Sequence, residues 1–131
     1  MSQQIAQQWL NELAATAVAH DLDSHMNLIS KSLLLTGVPG FDSLGYQDWF
    51  AQCEHEFASG LLQSVDYRGL KMIVDTDSRI MFRTWETVVA SDGETIAQGI
   101  EVLIEKEDDG VWRLTQQRLL SAEESAHDQL V

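Results

Sequence analysis

Apolar residues recur every four positions from Gln3 to about His20, at Ile5, Trp9, Leu13 and Ala17, with Gln3, Gln4, Gln7, Gln8, Asn11 and Glu12 between them. That spacing predicts an amphipathic helix, and the Ser2 hydroxyl is a suitable N-cap for it. The chain is expected to bend near His20-Asp21 and to enter a short second helix with Leu22, His25, Met26 and Ile29 on one face. Leu33-Leu34-Leu35 followed by Thr36-Gly37 predicts a short buried strand, ended by a turn at Pro39-Gly40. From Tyr46 to Phe57 the residues Tyr46, Trp49, Phe50, Cys53 and Phe57 form one helical stripe, and Gly60 stands where that helix would stop.

Val65 to Val74 predicts a second strand, and Asp75 to Ser78 turns it into a three-strand run: Ile80 to Val89, Thr95 to Glu107 and Val111 to Leu120. Asp92-Gly93 and Asp109-Gly110 separate these strands, because Asp-Gly supplies the positive φ that a tight hairpin needs. If both are two-residue loops, Glu86 faces Gly99, Thr84 faces Glu101, Glu101 faces Arg118 and Leu103 faces Gln116. Ile80, Phe82, Thr84, Glu86, Gly99, Glu101, Gln116 and Arg118 then share the helix side of the sheet. Trp85, Ile100, Val102 and Ile104 form an apolar patch on the outer side that a homodimer contact would cover. A three-residue loop with a bulge at either glycine would swap the faces of the strand beyond it. Helices followed by a bent meander make an α+β, two-layer domain. The acidic tail from Ser121 to Val131 is expected to be frayed or docked on the surface.

Composition narrows the partners. The 131 residues suit one domain, 1–131, and 44% hydrophobic with 22% charged residues is ordinary for a folded protein. Twenty-one acidic against eight basic residues give a net charge of -13, which repels phosphate backbones and anionic lipid, so no nucleic-acid partner is expected. No run of eighteen apolar residues is present to span a membrane, and the N-terminal stretch lacks the basic and apolar parts of a secretory signal. A single cysteine, Cys53, excludes an internal disulfide. A cytoplasmic location is expected.

On the predicted inner face Glu86, Glu101 and Arg118 converge beside Gly99. Arg118 would keep Glu101 ionised while a buried Glu86 holds a proton, and such a split is what acid–base chemistry requires. The plainer reading of the same residues is a salt bridge beside a solvated glutamate. His25, on the inward stripe of the second helix, is a candidate assisting group or a core histidine. Trp49, Phe57 and Tyr67, with Phe82 and Gln116, are candidate ligand contacts. His55 between Glu54 and Glu56 is no metal site, because neighbours on a helix diverge, and neither a metal nor another cofactor is expected.

Asp21-Leu22-Asp23, Gly45-Tyr46-Gln47-Asp48-Trp49, and Gly99 with Asp109-Gly110-Val111-Trp112-Arg113-Leu114 together resemble the nuclear transport factor two-like superfamily, with its SnoaL-like and ketosteroid-isomerase-like members. The resemblance covers nearly the whole chain. It implies a cone-shaped curved antiparallel or mixed sheet wrapped around the N-terminal helices, a cystatin-like α+β barrel. It also implies an enclosed pocket for a small apolar ligand, used either by a cofactor-free isomerase, dehydratase or cyclase or by a non-catalytic binding or assembly module. Glu101 falls near the place of the acid in the isomerases' oxyanion hole, whereas Trp9 and Lys31-Ser32-Leu33 do not reproduce their tyrosine and base. Glu86, Arg118 and Glu101 imitate in type the acid–arginine–acid group of limonene epoxide hydrolase-like members.

Overall fold

In the computed structural model, which describes residues 2–128, the first helix α1 (Ser2–Val18) lays Ala6, Trp9, Leu10, Leu13 and Ala17 into the core. Ser2 is already helical, and its hydroxyl binds the Asp75 carboxylate instead of capping the helix. The expected bend falls at His20, whose φ of 56° ends the first helix and lets Asp21 cap α2 (Leu22–Met26) by accepting from the Ser24 N–H at 3.3 Å. Ile29, expected on the face of that helix, instead opens β1 (Ile29–Thr36). The long helix α3 (Tyr46–Ser59) buries Cys53 and half-buries the other residues of its stripe. Gly60 closes it with a φ of 67°.

Four strands complete the sheet: β2 (Leu62–Asp75), β3 (Arg79–Ala90), β4 (Thr95–Lys106) and β5 (Trp112–Leu119). Their order is β1-β5-β4-β3-β2, with β1 parallel to β5 and every other pair antiparallel. The architecture is therefore α+β with a curved mixed sheet, and the sheet stays open between β1 and β2. Strand β2 carries three register shifts against β3, between Leu62 and Ser64, between Arg68 and Lys71, and between Met72 and Val74. Each adds a residue to one side of the ladder and so bends the strand.

Turn length changes the predicted faces. In the first hairpin Ala90 N–H donates to Glu94 O at 2.8 Å, and in the second Glu107 N–H donates to Val111 O at 3.0 Å. Both loops therefore hold three residues, with Gly93 and Gly110 at φ of 89° and 82°. The Asp92 and Asp109 carboxylates accept the N–H groups of Glu94 and Val111, with each aspartate second in a three-residue loop where a two-residue loop would have it first. Glu86 consequently faces Gln98, and Glu101 faces Arg83. The second hairpin slips likewise, but a bulge at Thr115 restores the register, so that Leu103 opposes Gln116 and Glu101 opposes Arg118 as expected.

The core side of the sheet thus carries Ile80, Phe82 and Thr84 of β3 with Ile100, Val102 and Ile104 of β4, all at most 1% exposed. Of the apolar patch expected on the outer face, Ile100, Val102 and Ile104 belong to this core, and only Trp85 lies outside. The outer face carries Arg83, Trp85, Gly99, Glu101, Gln116 and Arg118 instead. A fourth helix, α4 (Ala122–His127), capped by Ser121, packs there, so the described part of the acidic tail is docked. Residues 129–131 of that tail lie outside the described residues.

Candidate functional site

Two polar groupings, one on each side of the sheet, replace the single cluster predicted from the sequence. On the outer face Glu101 accepts from Arg83 at 2.7 Å and from Arg118 at 3.3 Å. Arg118 also binds Glu124 at 2.9 Å, while Arg83 and Lys71 both bind Asp128. Lys71, Asp128, Arg83, Glu101, Arg118 and Glu124 form one chain of alternating charge that fastens α4 and the residue after it to β2, β3, β4 and β5. Glu101 and Arg118 therefore pair as expected, but away from Glu86 and on the side remote from α1. The cause is the extra loop residue at Gly93, which turned β4 over. Gln116, on the same side, is exposed.

On the inner face Glu86 stands beside a pocket of about 650 Å³ between β1, α3 and the sheet. Its carboxylate accepts from the Tyr67 hydroxyl at 2.9 Å and from the Gln98 amide at 3.4 Å. Burial raises the Glu86 pKa above the ordinary carboxylate range, against the pull of these two donors. Tyr67 is pushed well above its ordinary value, first by burial and then by the glutamate's charge. Gln98 and Gln117 complete the polar floor, while Leu35, Val38, Trp49 and Leu119 supply apolar wall. Gln117 is only 6% exposed, and its amide makes no hydrogen bond among the described residues.

The other candidates fall around this floor. Trp49 lines the pocket directly, and Phe57 packs behind it, 5.4 Å from the His25 ring and 5.7 Å from the His20 ring. Phe82 is fully buried in the core. His25 is 4% exposed with both ring nitrogens engaged: Trp49 Nε1–H donates to Nε2 at 3.3 Å, and Nδ1 lies 3.0 Å from Thr16 Oγ1. Nε2 accepts, so Nδ1 carries the hydrogen and the ring is neutral. Burial takes its pKa down to about 4. His25 thus orients the Trp49 indole instead of presenting a free nitrogen to the pocket. Cys53 also touches the pocket, but burial and then the Glu56 charge push its thiol up to about 12, which keeps it an unreactive thiol at neutral pH.

Comparison of this architecture with solved structures gives a consistent answer. An NTF2-like protein from Cytophaga hutchinsonii superposes with a TM-score of 0.77 at 10% identity, over 92% of this chain and 98% of that one. A proposed scytalone dehydratase from Novosphingobium aromaticivorans gives 0.74 at 9% identity, over 90% and 82%. ActVI-ORFA from Streptomyces coelicolor gives 0.69 at 11% identity, over 90% and 95%. The fold is nuclear transport factor two-like. Neither protein-family models nor curated proteins gave a match to the sequence.

Within this nuclear transport factor two-like cone the polar floor is built from β2, β3, β4 and β5, at Tyr67, Glu86, Gln98 and Gln117. Gln98 and Gln117 are the residues that sequence reasoning missed. A three-residue first hairpin, one of the alternatives the Asp-Gly turns allow, places Gln98 opposite Glu86. Gln117 opposes Val102 whether or not the longer second loop and the Thr115 bulge are both present, because they cancel, so its place on the floor follows from the same first hairpin.

Proposed function

We propose that this chain binds a small molecule with an apolar body and one polar end, and that Glu86 exchanges a proton with that polar end. The observation that carries the reading is a titratable carboxyl of raised pKa at the floor of a pocket with largely apolar walls. The volume lies within the range of small-molecule sites, and a few convergent polar groups over an apolar lining are their usual composition. Tyr67 and Gln98 hold the carboxyl in place, and Gln117 offers an unused amide on the lining of the same pocket. In this reading the chemistry is cofactor-free proton transfer, of the kind used in isomerisation, dehydration or cyclisation. The resemblance to a proposed scytalone dehydratase is consistent with it.

A non-catalytic binding module is the second reading, favoured by His25, whose two nitrogens are both occupied and which leaves Glu86 without a histidine partner. A screen for compounds that bind and are turned over separates the two, and the Glu86→Gln variant then tests the part of the carboxyl in the turnover. Catalysis predicts a loss of turnover of about 10²–10⁴-fold with the ligand still bound. Retained turnover would remove Glu86 from the chemistry.

A further inference from the structure

The pocket floor has polar groups the fold does not use, and the sign of charge around them is one-sided. Among the described residues the ionisable lining is Asp48, Cys53 and Glu56 from α3 and Glu86 from β3, with no Lys, Arg or His. Tyr67 of β2 and the neutral His25 of α2 back this lining. The Gln117 side chain, whose residue is 6% exposed and which has no hydrogen-bond partner among the described residues, opens onto the same space. Its amide keeps a free donor and a free acceptor for an occupant of the pocket. The lining also bears on what that occupant is. A carboxylate or phosphate would meet Glu86, Asp48 and Glu56 with no counter-cation. A protonated amine would meet Glu86 as an ion pair, with the carbonyl oxygens of Gln98 and Gln117 as further acceptors on the lining.

Resting on the pocket reading above, we infer that the polar end of the ligand is an amine, so that the site selects a small hydrophobic organic cation over its neutral and anionic counterparts. The apolar body lies against Leu35, Val38, Leu44 and Leu119, and the ammonium pairs with Glu86. Glu86 pairs with an ammonium only when ionised, so binding expels whatever proton it holds. A ligand that hydrogen-bonds to protonated Glu86 would have the opposite dependence on pH.

Three probes with one body test this by titration calorimetry on the full chain: benzylamine, benzyl alcohol and benzoate. Benzylamine is expected to bind at least tenfold tighter than benzyl alcohol, with benzoate weakest. Its affinity should rise with pH across the ionisation of Glu86, with proton release visible as a buffer-dependent heat. Glu86→Gln should abolish the preference for benzylamine while benzyl alcohol still binds, which also shows that the variant is folded. Benzyl alcohol binding as tightly as benzylamine, or an affinity for benzylamine that falls as the pH rises, would overturn the amine assignment and leave the pocket reading standing. Should the wild-type chain bind none of the three, both readings fail. The pH dependence of the wild type decides the sign even if the variant does not fold.

Discussion

His25 and Glu86 are both pushed toward their neutral forms by burial, and they give the protein opposite responses to pH. The folded chain holds His25 near a pKa of about 4 against an ordinary value of 6.5, so the unfolded chain binds the extra proton between those values. Its contribution is full above pH 6.5 and is lost as the pH falls toward 4, a decline on the order of 3 kcal/mol. Thermal melts should show that decline, and the His25 imidazole NMR signals should stay those of the neutral Nδ1–H tautomer down to about pH 4. Glu86 acts the other way: its raised pKa means that the folded state keeps a proton the unfolded state has released, so stability is lost as the pH rises through the folded value. Glu86→Gln removes that loss. The variant should melt above the wild type at pH 8, and the two should converge near pH 4; a variant that melts lower at pH 8 would show that the ionised carboxylate stabilises the fold.

Among the elements, α4 is where the predicted active centre became a fastening. Gly99 is buried beneath this helix, and a Cβ there would collide with Ser125 Oγ and come within 3.2 Å of Leu120 Cδ1. Gly99→Ala should therefore lift α4 from the sheet, costing about 1–3 kcal/mol, with faster amide exchange confined to residues 121–128. Glu101→Gln leaves Arg83 and Arg118 without their shared negative charge. A loss of roughly 1–2 kcal/mol is expected, between the values for exposed and buried pairs, and denaturant melts will measure it. The helices were legible in the sequence because their burial repeats along a single segment, as at Tyr46, Trp49, Phe50, Cys53 and Phe57. The pairing of Glu101 with Arg118 was legible too, but only because two one-residue shifts cancel between them. Its face was not, since that depends on whether Asp92-Gly93 closes a loop of two residues or three. One residue there moves Glu101 across the sheet.

For the whole molecule, the bulge absorbs Thr115 as one extra residue of β5, with Leu114 in the core opposite Ile104 on one side of it and Gln117 at the pocket floor opposite Val102 on the other. Deleting Thr115 should therefore close the ladder with Leu114 still opposite Ile104 and Gln117 still opposite Val102, so the variant should unfold cooperatively and keep its near-ultraviolet circular dichroism signal; loss of that signal would show that Thr115 itself is needed for the fold. The dimer expected from an outer apolar patch has lost that motive, because Ile100, Val102 and Ile104 point to the helices. The open sheet leaves a different problem of association, since β2 is an edge strand of fourteen residues. Its longest stretch in unbroken register with β3 is only five residues, Ser64 to Arg68. A foreign strand approaching that rim finds its donors and acceptors out of step after a few rungs, so the irregularities that curve the cone also keep copies of the chain from zipping together into fibres.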